Sequence, residues 1–108
     1  MGGNLTAPLI DRPLVKAATA PIVSPGVDVA GCANLCFYIV GAAGASGSVL
    51  IEESHDAAFA GAWAPVGSAT AVVANGVAAP VRLNATAKAV RANVTAAAVG
   101  VTVHLVGR

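Results

Sequence analysis

Four ionisable side chains lie within five positions of a chain that is otherwise poor in charge. Glu52, Glu53, His55 and Asp56 stand ahead of Trp63, the one tryptophan, while charged residues make up 10% of the sequence. Carboxylates and an imidazole at close spacing are the groups from which metal sites, acid–base pairs and hydrolytic triads are built. This stretch is therefore the first place to look for chemistry.

A metal site in this stretch would need ligands from elsewhere in the chain. In an extended strand Glu53 and His55 share one face, about 6.5–7 Å apart, and zinc takes three or four ligands. The second histidine, His104, completes such a site only if its strand is a neighbour. We predict no metal and no cofactor, and keep a Glu53–His55–His104 site as an alternative that strand order decides.

Catalysis by the same residues is disfavoured by their order. Ser54, His55 and Asp56 are consecutive, and consecutive residues of a strand point to opposite faces, so they cannot form the relay of a serine hydrolase. The chain has no Gly-x-Ser-x-Gly elbow. No second carboxylate follows Asp56 to face it in paired-carboxylate hydrolysis. The sequence predicts a protein that is not an enzyme.

The remaining interpretation of the acidic stretch is the end of a strand that turns into solvent. Glu52 and Glu53 begin the polar end, and the residues after them cap a turn or a short helix around residues 56–60. Trp63 then returns to the interior as a plug of the core. The alternative is an exposed Trp63 that stacks on a sugar ring.

Charge is divided unevenly along the chain, although the formal net charge is only +1. Residues 1–56 sum to −3, whereas residues 57–108 contain four cations and no acid. This balance lacks the clustered basic excess of a nucleic-acid-binding protein. Oppositely charged halves instead favour head-to-tail contact between copies; the alternative is that both sets of charges are solvated faces. The candidate interface residues on this argument are Glu53, Asp56, Arg82 and Arg91.

The mean hydropathy of +0.77 is high, yet the chain has no membrane-spanning run. Its apolar runs are broken by Gly, Pro, Ser and Asn, and none approaches the ~20 residues of a spanning helix. The N-terminal residues also lack the pattern of a secretory signal. We expect other subunits to cover part of an apolar surface, and we expect no membrane and no small-molecule substrate.

Cys32 and Cys36 are the two cysteines. Within one strand they would lie on one face about 13 Å apart, too far for a disulfide, so a bridge would require Cys32 to lie in the preceding turn. We expect two buried free thiols that act as small hydrophobic groups.

Residues 1–33 contain four of the six prolines. Proline fixes φ and removes a backbone donor, so neither a long helix nor a central strand fits this segment. We predict an extended arm, with one edge strand near residues 20–23, that packs on a neighbouring subunit. The alternative is that it packs back on its own domain. The candidate contact residues of the arm are Leu9, Ile10, Leu14 and Val15.

Residues 34–108 form the predicted folded domain. The run 34–41 is continuously apolar and rich in aromatic and β-branched residues, as in a central strand. The glycine-rich segment 41–47 has the chemistry of a hairpin loop and leads to a second strand. The pair Asn75–Gly76 marks a further turn.

The last third of the chain has the clearest two-residue period. Apolar and polar residues alternate over 81–89 and then, with the opposite phase, over 90–95, so a turn or bulge must lie near 87–89. The final strand alternates again over 101–105. Short strands at this spacing, with valine in excess over leucine, predict an all-β fold: an antiparallel β-sandwich or jelly roll.

This order of elements resembles small β-sandwich structural proteins of tailed bacteriophages, particularly capsid decoration (cement) proteins. The resemblance covers residues 34–108: a strand ending in EESHD, a tryptophan that opens the next strand, the segment VRLNATAKAVRANVT and the terminal GVTVHLVGR.

Membership of such a family implies no catalysis and no cofactor. It implies a place on the outer capsid surface of a virion assembled in the host cytoplasm, with the major capsid protein as partner and a homotrimer as the favoured state. The alternative in the same setting is a head- or tail-fibre module that recognises a host-surface glycan.

Overall fold

The computed structural model describes residues 9–55, 63–84 and 88–108. All regular structure within these ranges is β-strand, as the sequence predicts. The strands in chain order are β1 (Ile10–Ala18), β2 (Ile22–Val23), β3 (Val27–Asp28), β4 (Asn34–Gly41), β5 (Ser46–Ser54), β6 (Ala64–Pro65), β7 (Thr70–Ala71), β8 (Gly76–Val77), β9 (Val81–Asn84), β10 (Ala89–Ala98) and β11 (Val101–Gly107).

The strands form two antiparallel sheets. In the first sheet the order is β1, β11 and β4, followed by β8 and β9, which pair with successive parts of β4. In the second sheet β2 and β3 share one side of β10, β5 lies on its other side, and β6 and β7 pair with β5. Each sheet therefore has four strand positions, with β10 and β5 at the centre of one and β11 and β4 at the centre of the other.

The chain alternates between the two sheets. It begins in the first sheet with β1, crosses to the second for β2 and β3, returns for β4, and crosses again for β5 to β7. It then returns for β8 and β9, enters the second sheet with β10 and ends in the first with β11. This connectivity is that of a jelly roll, which consists of two Greek keys. The predicted fold class is confirmed.

The core lies between the sheets and is filled by the inward faces of the four central strands. Phe37 on β4 pairs with Leu105 on β11, and Ile51 on β5 pairs with Ala92 on β10. All four are at most 1% exposed, so the two-residue period of these strands separates core from surface. The largest fully buried side chains are Phe37, Ile39, Ile51, Leu105, Val29, Val49, Val90, Val94, Val101 and Val103.

The N-terminal segment is built into the sandwich from Ile10 onward, which corrects the prediction of an arm over residues 1–33. Strand β1 pairs with β11 along the edge of the first sheet. Pro13 is accommodated because an edge strand leaves one row of backbone groups unpaired. Val15 is buried at 6% exposure, and Ile10 and Leu14 pack against the core. These apolar residues therefore stabilise their own domain.

Two connections with the composition of tight turns cross between the sheets. The glycine-rich segment 41–47 joins β4 to β5, and Asn75–Gly76 lies where β7 leads to β8. Asn75 has a left-handed φ of 51°, as expected for the turn. The prediction of a hairpin at 41–47 is wrong, because loop composition does not show which sheet the next strand joins. Strand β2 is the edge strand predicted near residues 20–23.

The alternation of apolar and polar residues changes phase between 81–89 and 90–95 because the chain crosses between the sheets here too. Strand β9 lies in the first sheet and β10 in the second, so the chain changes sheet between them. Residues 85–87 and the turn or helix predicted around 56–60 lie outside the described residues. No helix in the described part of the chain could cross a membrane.

Candidate interaction surface

The acidic stretch contributes an ion pair to the outer face of the second sheet. Glu52 on β5 lies directly opposite Arg91 on β10, and Arg91 Nε donates to Glu52 Oε1 at 2.6 Å. Both side chains lie on the outer face, since Val90 and Ala92 on either side of Arg91 are fully buried. A contact between Arg91 and a neighbouring copy would therefore compete with this internal ion pair.

The residues of the alternative metal site do not converge. Glu53 is half-buried on β5 in the second sheet, and His55 follows the end of that strand. His104 lies on the outer face of the first sheet, where its Nε2 contacts a carboxylate oxygen of Asp11 on β1. Among the described residues no three potential metal ligands come together. Asp56 lies outside the described residues.

Trp63 lies outside the sandwich, and the prediction of a core plug is wrong. Its half-buried ring covers the guanidinium of Arg91, whose Cζ is 4.3 Å from the ring centroid. The interior is already filled by aliphatic side chains and Phe37, whereas the outer face offers a cation on which an aromatic ring can stack. Asn93 adds an amide 3.5 Å from Glu52 Oε2. We call Glu52, Trp63, Arg91 and Asn93 the outer cluster.

The two cysteines are free thiols, as predicted, but only one is buried. Cys32 lies between β3 and β4 and is 7% exposed; burial, with a smaller effect of the Asp28 charge, raises the pKa of its thiol. Cys36 is half-buried on the outer face of β4, opposite the exposed Arg82 on β9.

At one end of the sandwich, the described connections between strands carry no ionisable side chain. The connections that meet there are β1–β2 (residues 19–21), β4–β5 (42–45), β7–β8 (72–75) and β10–β11 (99–100). The antiparallel register brings them together, because the strand ends that they extend lie side by side in the sheets. None of these residues is charged or a histidine. We call this surface the uncharged end.

Large hydrophobic side chains are exposed at and beside the uncharged end. Val73, Val77 and Val99 are 46%, 54% and 59% exposed. Ile22 and Val23 on β2, next to the β1–β2 connection, are exposed to a similar degree. Exposed apolar side chains that are grouped together, rather than scattered singly, are typical of an interface.

The uncharged end is held in shape by backbone hydrogen bonds that converge on Ala42. Its N–H donates to the carbonyl of Gly100 at 3.0 Å, and its carbonyl accepts from the N–H groups of Ala45 and Asn75, both at 2.9 Å. Three of the four connections are thus tied together. Gly41 permits this approach, because a Cβ at that position would lie 2.3 Å from the carbonyl oxygen of Val73.

Backbone strain is concentrated in the same region. The non-glycine residues with positive φ in the described ranges are Ala17, Asn75 and Val99, all at or beside the uncharged end. Asparagine tolerates this conformation, but for the β-branched Val99, at a φ of 74°, it costs about 1–2 kcal/mol. Such strain is found mostly at functional positions. The Val99 side chain is also exposed, so it gains little from packing against the core of its own chain.

The uncharged end could not be recognised from the charged residues, on which the interpretation of the sequence rests. The available signal was the absence of charge over residues 57–81 and 92–103. Neither run identifies a surface by itself, since only the jelly-roll connectivity brings the four connections to one end.

Comparisons with known proteins give a fold but no family. No protein-family model matches the chain, and no curated protein matches it. The crystal structure of the SPBc2 prophage-derived protein YomS matches with a TM-score of 0.72, over 96% of this chain and 97% of that chain, at 20% sequence identity. An identity this low speaks for the fold alone. Over nearly its whole length, the chain therefore has the fold of a prophage-derived protein.

Proposed function

We propose that this chain is a bacteriophage structural protein, a capsid decoration (cement) protein that binds the outer capsid surface and bridges major capsid subunits. The observation that carries the proposal is the uncharged end with its exposed Val73, Val77 and Val99. The fold shared with a prophage-derived protein supports the phage setting. A fold by itself does not assign a role, so the proposal rests on the exposed surface.

The uncharged end suits docking on a preformed shell. Hydrogen bonds through Ala42 fix three of its connections before any partner arrives, and a preorganised surface loses less conformational entropy on binding. Burying the exposed valines gives a favourable but modest contribution per copy. Repetition of the contact over a shell, through subunits joined to each other, multiplies weak affinity into stable attachment.

The proposed role involves no catalysis and no cofactor. Its partners are the major capsid protein and further copies of this chain, with a trimer favoured. Light scattering on the purified chain tests the oligomeric state. A trimer at micromolar concentration supports bridging by an oligomer, and a monomer would require that copies meet only on the shell.

Binding to shells tests the main proposal. Capsids of the phage that encodes the chain, assembled without it, are mixed with purified protein and sedimented. We expect the wild-type chain to co-sediment and to raise the temperature at which the shell disrupts. Val99→Ser should weaken co-sedimentation, while Leu9→Ser, a matched change at the opposite end where Leu9 is 66% exposed, should not. The proposal is wrong if the wild-type chain stays in the supernatant.

The outer cluster favours a second candidate, a fibre-associated module that recognises a host-surface glycan. Trp63 lies on the outer surface with a carboxylate and an amide beside it, and aromatic rings with adjacent polar groups are a common arrangement for sugars. Because Trp63 is the only tryptophan, its fluorescence reports binding directly. Saturable quenching by host-surface polysaccharide, lost in Trp63→Leu, would favour this role over capsid binding.

A further inference from the structure

A cleft of about 280 Å³ lies on the outer face of the first sheet, at the end opposite to the uncharged end. The beginning of β4, strand β9 and the residue that follows β11 form its walls. Its polar lining consists of Asn34, Cys36, Tyr38, Arg82, Asn84 and Arg108.

Strand register places one arginine on each side of β4. Arg82 on β9 pairs with Cys36, and Arg108 continues β11 beside Asn34. The Arg108 N–H donates to the Asn34 carbonyl at 2.9 Å, and the Asn34 N–H donates back to the Arg108 carbonyl at 3.0 Å. The two arginines are thus separated by one intervening strand and offset along it by two residues, so their backbones lie about 12 Å apart. Two arginine side chains span this distance when both bind one small group.

The cleft has two cationic side chains that no described Asp or Glu side chain pairs with. Neither Arg82 nor Arg108 forms an ion pair within the described ranges, and no acidic residue lines the cleft. The pKa of the Tyr38 phenol is raised, chiefly by a hydrogen bond to the Cys36 side chain, and the charges of Arg82 and Arg108 oppose this shift. Both guanidinium charges therefore act on this one side chain of the cleft lining.

The chemistry of the lining selects a carboxylate. A guanidinium presents paired N–H donors that match the two oxygens of a carboxylate, and the amides of Asn34 and Asn84 add further donors. The volume accommodates one side chain and part of its backbone. Two cations are too few for a nucleic-acid surface, which depends on many phosphate contacts.

We propose that this cleft is a docking site for an acidic peptide segment of a protein partner, with one Asp or Glu carboxylate held between Arg82 and Arg108. The site is separate from the uncharged end, and the proposal does not depend on the role in a capsid.

NMR titration of the full chain labelled with ¹⁵N tests the site. The probe is an acetylated, amidated Gly-Glu-Glu-Gly peptide, and its control is the same peptide with glutamine in place of glutamate. We expect saturable shifts of the amides of Asn34, Leu83 and Asn84 with the acidic peptide alone. Arg82→Gln should weaken binding about tenfold or more, the loss of one charge-assisted hydrogen-bond pair.

Two further variants separate the cleft from general charge effects. Arg82→Lys keeps the charge but loses the paired donors, so it should bind with intermediate affinity. Arg12→Gln removes an exposed cation from β1, outside the cleft, and should bind as the wild type does. Equal shifts with the glutamine peptide, or unchanged affinity in Arg82→Gln, would overturn the proposal. Preferential binding of an oligothymidylate at the same amides would also overturn it.

Discussion

Arg91 and Glu52 lie opposite each other on the two central strands of the second sheet, joined by an ion pair of 2.6 Å and covered on the guanidinium side by the ring of Trp63. Their side chains are 26% and 12% exposed. The pair is therefore shielded more than a typical surface ion pair, though it is not fully desolvated.

A double-mutant cycle should measure a real coupling between these two residues. We expect Arg91→Ala, Glu52→Ala and the double variant to give a coupling of about 1–2 kcal/mol in urea unfolding, between the values for exposed and buried charged pairs. Arg82→Ala is the control, because Arg82 is exposed and has no ion pair among the described residues; it should change stability by less than about 0.5 kcal/mol. A coupling near zero would show that the ion pair does not stabilise the fold.

Val99→Gly should increase stability and, under the proposed role, weaken co-sedimentation with capsids. Glycine adopts the φ of 74° without the Cβ clash that valine has, so we expect a gain of up to about 1 kcal/mol in chemical unfolding. Asn75→Gly, at a φ of 51°, is the control and should change little, since asparagine tolerates this conformation. If both stability and co-sedimentation were unchanged, the strained valine would have no role at the interface.

Gly41→Ala should destabilise the fold more than Gly44→Ala does. The new methyl group at Gly41 would lie 2.3 Å from the Val73 carbonyl oxygen and 2.8 Å from Val72 Cγ1, whereas at Gly44 it would meet open space. Overpacking of this kind, here against backbone, costs about 3 kcal/mol. The positive φ of Gly44 alone costs about 1 kcal/mol. Equal losses of stability for the two variants in thermal or urea unfolding would contradict this prediction. They would mean that the β7–β8 connection moves away from Gly41 more easily than its hydrogen bond to Ala42 indicates.

The two thiols should react at different rates with a thiol reagent such as dithiobis-nitrobenzoate. The thiolate is the reactive form, and a raised pKa leaves less of it on Cys32 at any given pH, in addition to the shielding by burial. We expect a fast phase from Cys36 that Cys36→Ser removes, and a slow phase from Cys32 that continues to accelerate as pH rises. Asp28→Asn should speed the slow phase, because the nearby negative charge contributes to the raised pKa. One uniform rate for both thiols would contradict this assignment.

Sequence alone predicts the strands whose side chains alternate between core and solvent. Val90, Ala92 and Val94 on β10, with Val101 and Val103 on β11, follow the two-residue period, and all of them are buried. The all-β fold class follows from the same signal, since alternation is a local property that needs no knowledge of strand partners.

The candidate surfaces depend on relationships that a linear sequence does not contain. A segment with the composition of residues 41–47 suits a hairpin and a connection between sheets equally well. The grouping of 42–45 with 72–75 and 99–100 could therefore not be predicted. The sequence predicts Trp63 in the core, where the chain returns after the acidic stretch, yet its place follows from the cation at Arg91 on the outer face. The left-handed conformation of Val99 likewise has no signature, because valine is a residue that normally avoids it.

The position of β11 between β1 and β4 determines when β1 can pair. Contacts such as the one between Asp11 and His104 join residues 93 positions apart, and among the described strands of its sheet β1 pairs with β11 alone. Strand β1 therefore stays without its sheet partner until the chain has been synthesised through β11. Folds dominated by such distant pairings form slowly, over milliseconds to seconds, and expose unpaired strands meanwhile. We expect the pairing of β1 to be a late step of folding, in which β11 joins β1 to β4 and closes the first sheet.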